Sequence, residues 1–134
     1  MSARLPDEIR EVMDNGIPVV LATCSAEGEP NVSIVSEVYY VDPGHVALSF
    51  QFFSKTIRNV RENPHATILI HDHTKNRRWI LRVEYDRSET EGPIFDHMDM
   101  QIEAIASATG MAGIFKLRAA DIYRVVEVTP VVPA

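Results

Sequence analysis

Several features that would narrow the function are scarce or missing in this 134-residue chain. Cys24 is its only cysteine, which excludes an intramolecular disulfide and favours a reducing, cytoplasmic compartment. No apolar run approaches the ~18 residues of a membrane-spanning helix. The first ten residues, MSARLPDEIR, also lack the apolar core of a signal peptide. We therefore expect a cytoplasmic protein that does not enter a membrane.

Positive charge is also scarce, and this argues against a nucleic-acid partner. The net charge is −6, and the only basic cluster is Lys75, Arg77 and Arg78, which fits a solvated loop beside a strand. No glycine-rich GxGxxG turn follows a strand-like segment, so dinucleotide binding of the usual kind is not expected. No serine triad or paired-carboxylate pattern is present either. The catalytic residues, if any, stay unidentified.

The residues that are present predict a mainly β protein. Apolar runs, turn residues and helix signals indicate one domain over 1–134, with a mostly antiparallel barrel at about 6–128 and a tail at 129–134. Helices are expected at 6–15, from 54 to the Asn63-Pro64 stop, and at 93–108. Strands are expected at 17–24, 30–41, 46–53, 66–70, 77–87, 114–117 and 122–128, with 118–121 separating the last two. The first three strands should form an antiparallel meander.

The segment 30–41 carries an alternating pattern that is typical of a half-buried strand. Apolar Val32 and Ile34 alternate with polar Asn31 and Ser33, and Glu37 falls on the polar side of the pattern. Asp42-Pro43-Gly44 then predicts a turn into the next strand.

The triplet Ser54-Lys55-Thr56 opens the second predicted helix and has two interpretations. Two hydroxyls, one ammonium and free backbone N–H groups at a helix start would bind a phosphate. The same residues also fit an ordinary helix cap with a solvated lysine. Further along this helix Val60 lies on the apolar face and Asn59 on the polar one.

Three other positions carry chemistry in principle. His71 and His73 lie two apart, so on a strand they would share a face and could bind a metal, but no third ligand is nearby in sequence. Trp79 at a strand start is either core packing or the wall of a planar-ligand site. Cys24 has no base beside it in sequence and is expected to be a buried, inert thiol.

Taken in order, these segments resemble the pyridoxamine 5′-phosphate oxidase-like, FMN-binding split-barrel family. The matching pieces are VVLATCSAEGEPNVSIVSEVYY, the Ser-Lys-Thr triplet with Asn59 and Asn63-Pro64 behind it, ATILI, RWILRVEY and FKLRAADIYRV. The likeness extends from about 6 to 128 and includes small members that consist of the barrel alone. It implies a six-stranded split barrel that forms a homodimer, with FMN in a groove at the interface.

The resemblance also implies which residues would contact the cofactor. Flavin-ring contacts would lie on the second strand, with others on the third strand, and phosphate contacts at the start of the second helix. The implied residues are Ser33, Ile34, Val35, Ser36, Ser49, Phe50, Ser54, Lys55, Thr56 and Trp79.

The implied activity is flavin-dependent redox chemistry on an unknown small substrate or redox partner. Ser33 stands where the true oxidases carry a basic residue, and their C-terminal substrate-binding segment has no counterpart here, so oxidation of pyridoxamine phosphate is not expected. Two alternatives stay open. The protein could be a non-enzymatic electron carrier or sensor, or its barrel could bind the deazaflavin F420 or haem instead of FMN.

Overall fold

The structure is a computed structural model. It describes residues 3–14, 19–35, 37–50, 54–108, 110 and 116–131, and only the backbone of Phe50 and Ser54. None of the described helices is long and apolar enough to cross a membrane.

The described residues form three helices and seven strands. The helices are α1 (Asp7–Asp14), α2 (Ser54–Glu62) and α3 (Pro93–Ala108). The strands are β1 (Val19–Cys24), β2 (Pro30–Val35), β3 (Val38–Asp42), β4 (His45–Phe50), β5 (His65–Asp72), β6 (Arg77–Glu89) and β7 (Ala119–Pro130).

All seven strands belong to one antiparallel sheet. Its order is β2-β1-β5-β6-β7-β4-β3, so β2 and β3 lie at opposite ends of the order although they are consecutive in sequence. Val35 at the end of β2 and Val38 at the start of β3 are nevertheless buried in the same apolar cluster. The edges of a flat sheet of this width would be about 29 Å apart. The sheet therefore curls into a split barrel, as predicted, with one strand more than the six expected.

Two predictions about the first half of the chain are wrong. The segment 30–41 is not one strand: β2 ends at Val35 and β3 starts at Val38. The three-strand meander is also absent: β2 pairs with β1, whereas β3 pairs with β4. Each hairpin joins a different end of the sheet, because β1 continues to β5 and β4 continues to β7.

The closing strand also differs from the prediction. Residues 119–121, expected to separate two short strands, are part of β7, where Ala120 pairs with Ser49. Of the predicted strand 114–117, Lys116 and Leu117 are not in a strand, and 114–115 lie outside the described residues. Thr129 and Pro130, assigned to the tail, pair with Ile80 and Trp79 of β6.

Helix α3 has the bounds that the sequence predicts, because its signals are local. Pro93 suits the first helical position, where its missing N–H has no partner to lose. Gly92 precedes it with φ of 99°, and its carbonyl accepts a hydrogen bond from the Asp96 amide at 2.9 Å. Met98 and Ile102 are buried against β4 and β7, so α3 covers the outside of that part of the barrel.

Helix α2 links the end of β4 to the start of β5 and covers one end of the barrel. Its Asn59, predicted to lie on the polar face, is buried and donates a hydrogen bond to Thr23 Oγ1 at 3.1 Å. This bond fixes the helix to β1. Cys24, predicted to be buried, is only half-buried, because it alternates with the inward-facing Thr23 at the end of β1.

Candidate functional site

The start of α2 lies against the inner face of β2. Ser33 Oγ and Thr56 Oγ1 are 2.7 Å apart, and one hydroxyl donates to the other. Asn31 Nδ2 donates to Thr56 Oγ1 at 3.3 Å and is 3.4 Å from Ser33 Oγ. Two residues that are 23 positions apart in sequence thus share one polar cluster, which we call the α2 cluster: Asn31, Ser33, Lys55 and Thr56, with Glu29 beside them.

The lysine of this cluster has a partner that the sequence did not indicate. Lys55 Nζ donates to Glu29 Oε1 at 3.1 Å, and both side chains are more than half exposed. An exposed pair of this kind contributes only about 0.2–1 kcal/mol, so it breaks easily. A phosphate arriving at the helix start would compete with Glu29 for the lysine.

The α2 cluster can donate hydrogen bonds to an anion. Each hydroxyl has one proton, so the Ser33–Thr56 contact uses one and leaves the other for a ligand. Lys55 supplies three N–H donors, and the first turn of α2 leaves backbone N–H groups unbonded within the helix. The Ser54 side chain lies outside the described residues, so its role as helix cap or phosphate contact stays a prediction.

The other predicted contacts on β2 divide between the two faces of the strand. Ile34 is 69% exposed on the outer face, whereas Val35 is buried in the barrel core. Val35 can therefore meet a ligand only through its backbone. Ser36 lies outside the described residues.

The predicted alternation holds within β2, although its apolar side faces solvent, and it does not continue to residue 41: Val38, predicted to share a face with Val32 and Ile34, is buried. Val32 and Ile34 are 66% and 69% exposed, whereas Glu37 is fully buried. A period of two fixes which residues share a face, but not which face meets the core.

Ser49 and Phe50 lie at the end of β4. Ser49 is buried, and its Oγ has no hydrogen-bond partner among the described residues. Phe50 pairs with Ala119 through its backbone, and nothing is described of its side chain.

Trp79 is not part of the α2 cluster. It pairs with Ile70 of β5 and Pro130 of β7. Along β6 it lies five residues from Glu84, which pairs with His65 just after α2. Five strand residues correspond to about 17 Å. Within one chain, Trp79 therefore lies near the other end of the barrel, with the Arg77 guanidinium 5.1 Å from its ring centroid.

His71 and His73 come together as the sequence suggested. Their ring centroids are 4.1 Å apart, and His71 Nε2 is buried without a partner among the described residues. Within that part of the chain, no group of three or more potential ligands has the geometry to hold a metal ion.

Two buried carboxyl groups have raised pKa values. Burial raises the pKa of Glu37, which follows the predicted contact Ser36 in sequence, to about 7. Burial also raises the pKa of Asp121 to about 6, although a hydrogen bond from Ser88 Oγ at 2.6 Å acts in the opposite direction. In both cases the folded protein holds the proton more tightly than the unfolded chain.

Sequence reasoning missed Asn31 and Glu29. Asn31 had a usable signal, since it lies two residues from Ser33 and must share its face of the strand. Glu29 had none, because its contact with Lys55 spans 26 positions and depends on where α2 packs.

A curled antiparallel sheet with a short helix across one end defines a split-barrel protein of the pyridoxamine 5′-phosphate oxidase-like type. A model of the family described as pyridoxamine 5′-phosphate oxidase matches residues 5–131. The chain therefore belongs to this family.

Solved structures agree with the fold. An FMN-binding protein from Syntrophomonas wolfei superposes with a TM-score of 0.80 at 17% identity, covering 96% of this chain and 86% of that one. The haem storage protein HutZ from Vibrio cholerae superposes with a TM-score of 0.61 at 20% identity, covering 95% of each chain. An F420 reductase gives 0.68 at 14% identity, covering 93% of this chain and 98% of that one.

A curated relative extends the likeness to sequence. An uncharacterised protein of Methanocaldococcus jannaschii is 35% identical over 63 residues, which is 46% of this chain. The match spans 42% of that relative's length, so less than half of it is represented.

Proposed function

We propose that this chain is a single-domain FMN-binding flavoprotein that uses the flavin as an oxidoreductase acting on a small substrate. The observation that carries the proposal is the α2 cluster, where the Ser33 and Thr56 hydroxyls meet at 2.7 Å beside Lys55. Family membership and the likeness to an FMN-binding protein support the same cofactor. A cytoplasmic location stays a prediction from the single cysteine.

The residues of the cluster fit a phosphate. Lys55, the free hydroxyl proton of the Ser33–Thr56 pair and the α2 backbone N–H groups are all donors, and a phosphate accepts hydrogen bonds. The Asn31 amide donates to the two hydroxyls. Glu29 is the one acidic group among them, and it has to release Lys55 when the phosphate binds. Val35, Ser36, Ser49 and Phe50 stay proposed contacts for the rest of the cofactor. Ser49 Oγ, which has no hydrogen-bond partner within the described part of the chain, could bond it.

Bound FMN would supply hydride or single-electron transfer, which no side chain provides. The chain's own contribution is to hold the phosphate at α2, orient the ring along β2 and exclude water from it. FMN has about 31 non-hydrogen atoms, and at about 0.3 kcal/mol per atom its affinity reaches about 9 kcal/mol, a sub-micromolar Kd.

We further propose that the protein is a homodimer with the cofactor at the interface. Val32 and Ile34 form an exposed apolar pair on the outer face of β2. Val20 and Ala22 of β1, which pair directly with Ile34 and Val32, continue this face as half-buried residues. A second copy that covered it would shield the side of the flavin that one barrel leaves open. An obligate interface of this kind buries about 2,000 Å² or more.

A haem-binding barrel is the second candidate, and one observation favours it. His71 Nε2 is buried and unpartnered within the described residues, next to the His73 ring, and imidazole nitrogen is a common haem ligand. HutZ shares the fold. An F420-binding barrel or a non-enzymatic electron carrier would use the same framework without a dedicated substrate pocket.

The absorption spectrum of the purified protein separates these candidates. We expect a flavin spectrum, with FMN identified by mass after release, whereas a Soret band would overturn the proposal in favour of haem. The cofactor-free protein should bind FMN more tightly than riboflavin, which has the same ring without the phosphate. Equal affinities would contradict the phosphate site at α2. Turnover of NADH or NADPH with a quinone or dye would support an enzyme over a carrier.

A further inference from the structure

A second candidate site lies at the end of the barrel away from α2. A cavity of about 570 Å³ lies between the N-terminal segment, the start of β6 and the end of β7. Its size falls within the range of about 300–1,000 Å³ that is usual for small-molecule sites. Its charged lining residues are Arg4, Glu8, Arg77 and Arg78. We call it the β6–β7 cavity.

The charge of the β6–β7 cavity is opposite to that of the protein. The chain carries a net −6, yet three arginines and a single glutamate line this space. Arg77 is already neutralised, since it donates to Asp72 Oδ2 at 2.8 Å and to Glu8 Oε2 at 3.1 Å. Arg4 and Arg78 have no ion-pair partner in the part of the chain that the structure describes.

The walls of the cavity are fixed by the backbone and by this ion-pair network. The Val131 amide donates to the Arg78 carbonyl at 2.9 Å, and the Ala3 amide donates to the Val125 carbonyl at 3.0 Å. Hydrogen bonds from Thr74 and Arg77 hold the pKa of Asp72 well below its usual range, so the carboxylate that binds Arg77 stays charged. Apart from Asn76, the uncharged lining is apolar and consists of Pro6, Trp79, Val128, Pro130 and Val131.

We propose that the β6–β7 cavity binds a small organic anion with a flat apolar body. Arg4 and Arg78 would bind the anionic group, and Pro6, Val128 and Trp79 would contact the apolar part. Since neither arginine has an ion-pair partner among the described residues, both can form charge-assisted hydrogen bonds, which are about twice as strong as neutral ones. The site is separate from the α2 cluster of the same chain and does not depend on the proposed flavin.

Trp79 makes the site measurable, because it is the only tryptophan in the chain. The probe is 1-anilinonaphthalene-8-sulfonate, an aromatic anion that accepts energy from tryptophan. N-phenyl-1-naphthylamine has the same rings without the sulfonate and is the neutral control. We expect saturable quenching of Trp79 by the anion and binding about ten-fold weaker for the neutral compound, a difference of about 1.4 kcal/mol.

Two variants and a matched control test the role of charge. Arg78→Gln should weaken the anionic probe about ten-fold, and Arg4→Gln, nearer the chain end, should weaken it about three-fold to ten-fold. Arg118→Gln removes the same charge from an exposed arginine that does not line the cavity, and should change nothing. Arg4→Gln keeps the test valid if Arg78→Gln fails to fold.

Three results would overturn the proposal. The first is equal binding of the anionic and neutral probes, which would show that the cavity does not select charge. The second is an affinity for the anionic probe that is the same in the unaltered protein and in all three variants. The third is displacement of the probe by FMN or by self-association of the protein, because either would mean that the cavity belongs to the flavin site or to an interface.

Discussion

Lys55 offers the sharpest test of the α2 cluster, because the structure gives it a competing partner. Its ammonium donates a hydrogen bond to Glu29 Oε1 at 3.1 Å. A charge-assisted hydrogen bond to phosphate contributes about 1.5–3 kcal/mol. The exposed ion pair with Glu29 contributes about 0.2–1 kcal/mol, and this contribution is lost when Lys55 binds the phosphate. The net gain from Lys55 is therefore about 1–2 kcal/mol, and Lys55→Ala should weaken FMN about 5-fold to 30-fold.

A substitution of Glu29 should change the affinity for FMN in the opposite direction. Glu29→Gln removes both the competitor for Lys55 and a negative charge near the phosphate, so FMN should bind about two-fold to five-fold more tightly. In the Lys55→Ala background the same substitution should have a smaller effect, because no lysine is left to release. This double-mutant cycle isolates the coupling between the two side chains. Isothermal titration calorimetry with FMN supplies the four affinities.

Riboflavin and a second lysine provide the controls. Riboflavin lacks the phosphate, so its affinity should be nearly the same in all four proteins, and added salt should weaken FMN more than riboflavin. Lys75→Ala removes an exposed lysine from the turn before β6 and should leave FMN binding unchanged. Equal losses for FMN and riboflavin in Lys55→Ala would refute the reasoning and make Lys55 a structural residue. A weaker FMN affinity in Glu29→Gln would show that Glu29 positions the lysine instead of competing for it.

Three further predictions concern the fold, the assembly and the reaction. The pKa of Glu37 is about 7 in the folded protein, against an ordinary value of 4.5. The folded protein therefore loses stability relative to the unfolded chain as pH rises from 4.5 to about 7. Relative to the unaltered protein, Glu37→Gln should gain about 2–3 kcal/mol of unfolding free energy from about pH 5 to about pH 8 in urea titrations, and parallel curves would contradict the shift. Ile34→Asp should convert a dimer to a monomer in sedimentation. Met100→Asp, at a similarly exposed apolar residue on α3, should leave the dimer intact. If the unaltered protein is monomeric with FMN bound, the dimer is refuted. Pyridoxamine phosphate should not be oxidised, since the family resemblance puts Ser33 where the true oxidases would carry a basic residue. Formation of pyridoxal phosphate at about 1 s⁻¹ would contradict this.

The sequence alone determined the features that depend on neighbouring residues. Helix α3 was predicted with its observed bounds because Pro93, the preceding glycine and the apolar period all lie within one segment. The start of α2 at Ser54 and its end before Pro64 were local in the same way. The mainly antiparallel barrel followed from the sequence of strand and turn signals, and the resemblance to the family covered nearly the whole chain.

Tertiary structure decided which faces and which distant residues meet. Alternation in 30–41 showed that Val32 and Ile34 share a face, but only the closing of the barrel set that face toward solvent. The pairing of Ser33 with Thr56 and of Glu29 with Lys55 joins residues more than 20 positions apart. Such contacts depend on how α2 packs across the barrel end, because a local pattern fixes the direction of a side chain only relative to its own strand or helix.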